Sequence, residues 1–236
     1  PRDTESEEIW REIFSKNGIT GERIYFRPKE KNWWSAGPNG PCGPDTEMFY
    51  DLTGELNSGM SLDEYLKADD EQRVVEIWNN VFMQYLSKDG KVVSELPNKN
   101  VDTGAGFERM VAVVQGERSV FETDIFENII DLVSKRFGEN NEMRIKRIIA
   151  DHLRTSVFMI SDGVIPSNKD RGYILRRIIR RAVFQAWKSS RNQVQLNSLV
   201  SNVIELYSNS YPEMSSKSEM IQKVFEDEEN KFIKTL

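Results

Sequence analysis

The hydrophobic periodicity of this chain changes near Val120, and that change constrains the fold more than any single motif. Before it, residues 74–86 are rich in β-branched and aromatic side chains, Lys88-Asp89-Gly90 has the composition of a tight turn, and residues 92–96 form a second β-type run. After it, apolar residues recur every three or four positions, as on one face of a helix. We therefore predict an α+β protein, with an antiparallel, mixed part followed by an all-helical part.

Each part is then divided into elements by caps, turns and apolar spacing. The first part contains a run at residues 37–44 that holds too much glycine and proline for a helix or a central strand. Thr4, with Glu7, is predicted to cap the first helix. Predicted helices cover residues 4–17, 121–137, 142–161, 170–189, 196–210 and 216–236, short strands cover 23–26 and 48–50, and residues 52–71 form a loop with one helical turn at 61–66.

The stretch at residues 101–109, Val-Asp-Thr-Gly-Ala-Gly-Phe-Glu-Arg, has the composition of a strand end that turns into a helix capped by Thr103. Its two glycines allow backbone N–H groups to approach a ligand closely. Arg109 adds a planar cation suited to phosphate, and Asp102 offers a partner for an ammonium group. The combination suits a zwitterionic small molecule that meets a polyphosphate. A capped helix after a tight turn, without a ligand, is the local alternative.

Two polar residues interrupt the apolar strand at residues 74–86. Glu76 and Asn79 need hydrogen-bond partners there, either from backbone and water or from a ligand. In a regular strand they fall on opposite faces, because side chains alternate. A β-bulge would be required to bring both to one site.

The net charge of −6 conceals a basic segment. Residues 142–191 carry twelve Lys and Arg against four Asp and Glu, a local excess of eight positive charges. Within it, four arginines of the helix at 170–189 lie at spacings of three and four: Arg176, Arg177, Arg180 and Arg181. Such a stripe needs either internal carboxylates or a phosphate backbone as its partner. Asn168, just before the helix, could donate and accept hydrogen bonds at base edges in an RNA minor groove.

The counts of cysteine and histidine exclude several classes of site. Cys42 and His152 are each the only residue of their type, so an internal disulfide is impossible and a Cys/His metal site is implausible. No apolar run approaches the length of a membrane span and no secretory signal is visible, so we expect no membrane partner and a cytoplasmic location. Because the first residue is Pro1, we expect the chain to be part of a longer protein.

Taken together, these segments resemble the alanyl-tRNA synthetases, in family order and spacing. The matching blocks are Asn-Trp-Trp at 32–34, Gly-Pro-Cys-Gly-Pro-Asp-Thr-Glu at 40–47, Glu-Ile-Trp-Asn at 76–79, Val-Phe-Met-Gln at 81–84, the stretch at 101–109, Ala-Asp-His-Leu-Arg at 150–154, Pro-Ser-Asn at 166–168 and the basic helix at 171–182.

The resemblance implies part of an alanine–tRNA ligase, which condenses alanine with ATP and its Mg²⁺ to an adenylate and passes the alanyl group to the terminal adenosine of alanine tRNA. No resident metal is expected. Residues 1–120 would be the C-terminal half of a class II aminoacylation core with a partial antiparallel sheet. Residues 121–236 would be a helical region that recognises the tRNA acceptor stem.

The same resemblance assigns roles to individual residues. Asp102 and Arg109 would be the catalytic residues, Asp102 by holding the alanine ammonium and Arg109 by binding the ATP phosphates. The alanine site would comprise Trp34, Asn79, Asp102 and Gly104, the ATP site Glu76, Gly106 and Arg109, and the tRNA site Asn168, Arg171, Arg177 and Arg181. Asn168 would approach a G·U pair. We expect His152 and Cys42 to be structural.

The resemblance also implies what lies outside the chain. The first two class-defining motifs, the second of which carries an arginine for the α-phosphate, would precede it as an N-terminal partner segment, and an editing domain would follow. We therefore expect the 236 residues alone to be inactive. Two alternatives are a non-catalytic acceptor-stem binder or paralogue, and a helical module whose arginines pair with an acidic protein.

Overall fold

The computed structural model describes residues 2–56, 59–138, 142–189 and 195–236. Parts of two sequence predictions lie outside them: positions 57–58 of the predicted irregular segment and Arg191 of the basic segment. The chain forms two compact units, Pro1–Val120 and Phe121–Leu236. Within the described residues no helix is both long enough and apolar enough to cross a membrane.

The first unit is built on a four-stranded antiparallel sheet in the order β1-β2-β3-β4, with three helices. The elements are α1 (Thr4–Lys16), β1 (Trp33–Ser35), β2 (Gly40–Asp51), α2 (Leu62–Asp70), β3 (Val74–Lys88), β4 (Lys91–Gly104) and α3 (Phe107–Gln115). The α+β class is thereby confirmed. The predicted hairpin is confirmed as β3 and β4, whose turn has positive φ at Asp89 (49°) and Gly90 (74°), as a tight hairpin turn requires.

Our prediction that the glycine- and proline-rich residues 37–44 do not form a central strand is wrong. Most of them belong to β2, which lies between β1 and β3. Two features explain how an interior strand accommodates them. The register between β2 and β3 shifts between Cys42 and Asp45, where proline's missing N–H is tolerated. Gly43 also allows the two backbones to approach, since a Cβ there would lie 1.8 Å from the carbonyl oxygen of Phe82.

Other boundaries also differ from prediction. Residues 23–26 are not a strand, and β4 continues through Gly104 rather than ending at residue 96. The N-cap of α1 is Asp3, whose carboxylate accepts the Ser6 N–H at 3.0 Å, so Thr4 is already inside the helix. The single turn predicted at 61–66 is a full helix, α2, which begins with a capping box between Ser61 and Glu64.

The second unit is a helical bundle, which confirms the helical spacing of apolar residues that we predicted after Val120. Its helices are α4 (Asp124–Phe137), α5 (Met143–Ser161), α6 (Asp170–Ser189), α7 (Val200–Tyr207), α8 (Pro212–Ser216) and α9 (Ser218–Ile233), with short 3-10 helices at Val120–Glu122 and Leu196–Leu199. Apolar faces of α4, α5, α6, α7 and α9 form one continuous core, in which Leu153, Ile179 and Phe225 are fully buried. The two C-terminal predictions were each too long. The range 196–210 divides into a 3-10 helix and α7, and the range 216–236 contains the shorter α9, which begins two residues later and ends at Ile233.

Candidate functional site

A β-bulge in β3 places Glu76 and Asn79 on the same side of the sheet. Met48 of β2 lies opposite Trp78, but the next residue, Phe49, lies opposite Glu76, so that Ile77 is the extra residue. An inserted residue shifts the alternation of side chains by one position. The bulge that the two polar residues required is therefore present.

The sheet register brings further polar residues to that side. Asp45 and Asp102 both lie opposite Val81, from the two neighbouring strands. Glu47 and Gly104 lie opposite Asn79 in the same way. Residues directly opposite each other in adjacent strands share a face. We call this set, Asp45, Glu47, Glu76, Asn79, Asp102 and Gly104, the polar face.

The glycine turn after β4 joins the polar face to α3. Gly106 is the N-cap of α3, so the predicted capping role of Thr103 is wrong: Thr103 is still in β4, opposite Asn80. A Cβ on Gly106 would lie 3.0 Å from Cδ of Arg109, so glycine leaves room for that side chain to fold back over the turn. A Cβ on Gly104 would meet no atom within 4 Å, so a larger residue would project into open space at the polar face.

Arg109 reaches β3 from the first turn of α3. Its Nη1 donates to Oε2 of Glu76 at 3.0 Å and to the Glu76 carbonyl oxygen at 3.1 Å. The arginine side chain is 45% exposed and the glutamate side chain 31% exposed, so the pair is accessible to an anionic ligand. The structure thus brings two of the predicted nucleotide residues, Glu76 and Arg109, into direct contact.

Two carboxylates surround the amide of Asn79. Its Nδ2 donates to Oε1 of Glu47 at 3.2 Å. The Asp45 carboxylate accepts from Nδ2 of Asn32 at 3.0 Å, and Asn79 also opposes the increase in the pKa of Asp45. The amide oxygen, Oδ1, is buried and accepts no hydrogen bond from the residues that the structure describes. A buried acceptor without a partner is costly and is rare in native structures.

Two acidic residues of the polar face, Glu47 and Asp45, have raised pKa values. Burial, followed by the nearby carboxylates of Glu76 and Asp45, raises the pKa of Glu47 to about 7. Burial also raises the pKa of Asp45, although hydrogen bonds from Asn32 and Asn79 oppose the shift. We did not predict a role for either residue. The signal available was the alternation of acids in Asp45-Thr46-Glu47, immediately before an apolar strand segment.

The tryptophans of β1 have different environments. Trp33 stacks on Tyr85, with ring centroids 5.7 Å apart, and Nζ of Lys29 lies 4.2 Å from its ring. Trp34 pairs with Gly43, a position without a side chain, and is 37% exposed. Of the two, Trp34 is the one available to a ligand.

The residues that the structure describes contain no group of three histidine, cysteine or acidic side chains that could hold a metal ion. Mg²⁺ that arrives with nucleotide phosphates needs only one or two protein carboxylates. Glu76, beside Arg109, fits that lesser requirement.

The arginines of α6 point in different directions. Arg180 pairs with Glu228 of α9, with Nε 2.6 Å from Oε1, so it faces the bundle. Arg176 donates through Nη1 to Oδ1 of Asn168. The predicted tRNA residues Arg171, Arg177 and Arg181 are exposed along α6. The stripe of four that we predicted from spacing alone is therefore divided: Arg180 pairs with α9, Arg176 contacts the exposed Asn168, and Arg177 and Arg181 are exposed.

The segment before α6 is packed tightly against its first turn. A Cβ on Gly172 would lie 2.3 Å from Oγ of Ser167 and 2.4 Å from the carbonyl oxygen of Ile165, so only glycine fits. The Ser167 hydroxyl donates to the Lys169 carbonyl oxygen at 2.9 Å. These contacts hold Asn168 in a defined, exposed position beside the exposed arginines.

His152 belongs to neither group of candidate residues. Its Nδ1 lies 2.8 Å from Oδ2 of Asp151 in α5, and its carbonyl oxygen accepts the Ser156 hydroxyl at 2.6 Å. Cys42 is buried in β2 and is 1% exposed. We continue to interpret both residues as structural.

Comparison with known proteins identifies the family. A family model described as tRNA synthetases class II (A) matches residues 1–236, the whole chain. The chain is 43% identical to an alanine–tRNA ligase of Borrelia hermsii, in an alignment that covers 100% of the chain and 40% of that protein. Similar matches are alanine–tRNA ligases of Petrotoga mobilis (41% identical, 99% of the chain, 27% of that protein) and Hydrogenovibrio crunogenus (38% identical, 99% and 26%). The chain thus spans between 26% and 40% of the length of these curated relatives.

Proposed function

The chain belongs to the class II (A) family of tRNA synthetases, and on that basis we propose that it is part of an alanine–tRNA ligase. The full protein activates alanine with ATP to alanyl-adenylate, then transfers the alanyl group to the terminal adenosine of alanine tRNA. The names of relatives about 40% identical over the whole chain support this proposal. The structural observation that carries it is the polar face, where one sheet register aligns Asp102, Gly104 and Asn79.

Alanine binds at the polar face. The Asp102 carboxylate accepts from the alanine ammonium, and the bare backbone of Gly104 leaves room for a substrate in the adjacent position. Asn79 contributes as a second acceptor its buried Oδ1, which has no hydrogen-bond partner among the described residues. The exposed indole of Trp34 provides an apolar wall for the methyl group. A charge-assisted hydrogen bond to the ammonium is the strongest of these contacts.

ATP binds at the start of α3. Arg109 releases Glu76 and engages the phosphates, while the glycine turn at Gly106 lets them approach the backbone. Glu76 would help to hold the Mg²⁺ that arrives with the phosphates, and this ion would supply charge neutralisation. The protein positions the substrates and stabilises charge, and the substrates react with each other.

The two chemical steps need no nucleophilic side chain. In the first, an alanine carboxylate oxygen forms a bond to the α-phosphorus of ATP, and the bond to pyrophosphate breaks. In the second, a ribose hydroxyl of the terminal adenosine attacks the alanyl carbonyl carbon and AMP leaves. Asp102 and Arg109 act by holding the amino group and the phosphates in reacting positions.

The exposed side of α6 binds the acceptor stem. Arg171, Arg177 and Arg181 contact phosphates, and Asn168 approaches base edges in the shallow minor groove of RNA. The pairing of Arg180 with Glu228 removes that arginine from the RNA contact. Binding should weaken as salt rises, because each phosphate contact releases counterions.

The experiment that tests the function is alanine-dependent ATP–pyrophosphate exchange by the full-length protein, followed by alanylation of alanine tRNA. We propose that the 236 residues alone give no exchange, because the family's second-motif arginine lies in an N-terminal partner segment. Exchange with another amino acid in place of alanine would contradict the proposal. We place the reaction in the cytoplasm, as expected for a chain with a single, buried cysteine.

A second candidate function is acceptor-stem binding without catalysis, and the exposed arginines of α6 favour it independently of the polar face. A pure binder has no use for an aligned Asp102 and Asn79. The exchange assay separates the two functions, because a full-length protein that binds alanine tRNA but lacks exchange would be a binder.

A further inference from the structure

We propose that Glu47 is a positioning residue, which fixes the Asn79 amide so that its oxygen faces the amino group of the substrate. This inference rests on the proposed function, because it assigns a specificity role within the alanine site. Glu47 is the last residue of a block that carries the resemblance, but the sequence analysis assigned it no role. The inference rests on two observations. The carboxylates of Glu47 and Asp45 lie beside the Asn79 amide, and Oδ1 of that amide is buried without a hydrogen-bond partner among the described residues.

An asparagine amide can sit in either of two orientations related by a half turn, and its neighbours decide between them. The ionised carboxylates of Glu47 and Asp45 can only accept hydrogen bonds. Oε1 of Glu47 accepts from Nδ2 of Asn79 at 3.2 Å, and Asn79 also opposes the increase in the pKa of Asp45 on the same face. In the opposite orientation the amide oxygen would face two acceptors, so the NH₂ group is held on the carboxylate side.

The Asn79 amide oxygen is therefore a hydrogen-bond acceptor with a fixed direction. With NH₂ held by carboxylates, Oδ1 of Asn79 points away from them, and it is buried without a partner in the described part of the chain. The ligand that satisfies it must be a donor. Four carboxylates lie on the same face, those of Asp45, Glu47, Glu76 and Asp102. A cationic amine is therefore favoured over a neutral hydroxyl.

The protonation of Glu47 affects this arrangement in a definite direction. A protonated Glu47 carries a hydroxyl donor, which can hold Asn79 by its oxygen and so turn the acceptor away from the ligand. Burial raises the pKa of Glu47 to about 7, with smaller effects from the carboxylates of Glu76, Asp45 and Asp69 and an opposing one from Arg27. Tyr65 also faces this group. Alanine should therefore bind more tightly as the pH rises through about 7.

The first test is the pH dependence of the KM for alanine in ATP–pyrophosphate exchange by the full-length wild-type protein, from pH 6 to pH 8.5. We expect this KM to fall by about tenfold across the range, while the KM for ATP changes by less than about twofold. A KM for alanine that is flat over the range would overturn the proposal. This measurement needs no variant and so does not depend on whether a variant folds.

The second test compares Glu47→Gln with wild type. A glutamine at position 47 can donate as well as accept, so it no longer selects one orientation of the Asn79 amide. We expect the KM for alanine at pH 8 to rise about tenfold and its pH dependence to disappear, with the KM for ATP little changed. The control is Glu71→Gln, which removes an exposed carboxylate paired with Arg73 at the end of α2. It should leave both KM values within about twofold.

The outcomes distinguish this inference from the function itself. If wild type shows no alanine-dependent exchange, the proposed function fails. If wild type is active but Glu47→Gln has the KM for alanine and the pH profile of wild type, the ligase function stands and the positioning role is wrong. In that case Oδ1 of Asn79 is satisfied by another segment of the protein. A variant that loses kcat alone would equally contradict positioning of the amino group.

Discussion

Nη1 of Arg109 lies 3.0 Å from Oε2 of Glu76 and 3.1 Å from the Glu76 carbonyl oxygen. The contact spans 33 residues of sequence and joins the first turn of α3 to the bulge in β3. It holds a cation and an anion at the place where we propose that ATP and its Mg²⁺ bind. The guanidinium is therefore already oriented before the nucleotide arrives, at the small cost of exchanging one anionic partner for another.

Replacing Arg109 should lower the catalytic efficiency with ATP. We expect Arg109→Lys to lower kcat/KM for ATP by about a hundredfold in exchange by the full-length protein, because an ammonium cannot present the planar fork of a guanidinium. The matched control is Arg118→Lys. That arginine is exposed and pairs loosely with Glu55 at 3.5 Å, so the variant should retain activity within about twofold. Equal losses in the two variants would contradict a specific role for Arg109.

Replacing Asp102 should raise the KM for alanine and leave the KM for ATP nearly unchanged. We expect Asp102→Asn to raise the KM for alanine between about tenfold and a hundredfold, because it removes the charged partner of the ammonium. The KM for ATP should remain within about threefold. Asp89→Asn is the control, since Asp89 occupies the hairpin turn with a positive φ that asparagine tolerates well. An unchanged KM for alanine in Asp102→Asn would remove Asp102 from the amino-acid site.

The exposed arginines of α6 should determine tRNA binding. We expect the double variant Arg177→Ala plus Arg181→Ala to weaken alanine tRNA binding and to reduce the slope of log K against log salt by about 2, one for each lost phosphate contact. Binding measured at several salt concentrations checks this. If the slope stays at the wild-type value, these arginines do not contact phosphates.

Arg180 provides the contrast on the same helix. Glu228 is only 4% exposed, so removing its partner with Arg180→Ala leaves a carboxylate almost buried and unpaired. We expect a loss of about 2 kcal/mol in the free energy of unfolding, measured by urea denaturation of the full-length protein. The salt slope of tRNA binding should match wild type. The reverse pattern, with full stability and a reduced slope, would place Arg180 at the RNA instead.

Glu229 should make the stability of the helical unit depend on pH. Its carboxylate is 2% exposed and accepts the N–H groups of Leu196 at 2.7 Å and Asn197 at 3.1 Å, yet burial outweighs these bonds and raises its pKa above 4.5. A raised pKa in the folded state means that stability is fully present below 4.5 and is lost as the pH rises through the folded value.

Glu229→Gln tests that dependence. Measured by urea denaturation, the free energy of unfolding of this variant should improve relative to wild type as the pH rises from 4 to 7, because glutamine cannot ionise. Glu205→Gln, at an exposed position of α7, should show no such trend. A constant difference between Glu229→Gln and wild type at all pH values would show that burial does not control this carboxylate.

Local patterns were sufficient for much of the fold. The Lys88-Asp89-Gly90 turn predicted the β3–β4 hairpin, and the apolar stripes predicted the bounds of α5 and α6 to within one residue. Predictions failed where neighbours overrule local preference. The proline- and glycine-rich part of β2 pairs because Gly43 permits close approach of backbones, and the extended end of β4 pairs with β3 although its composition is polar.

The sequence by itself determined the period of each element, the hairpin turn, the helical stripes and, through family motifs, the identity of Asp102, Asn79 and Arg109 as candidates. Only the tertiary structure decided how these residues meet. The bulge at Ile77, the contact between Glu47 and Asn79 and the inward turn of Arg180 depend on the register of strands and the packing of helices. The last two of these join residues 32 and 48 positions apart in the chain, beyond the reach of any local spacing rule.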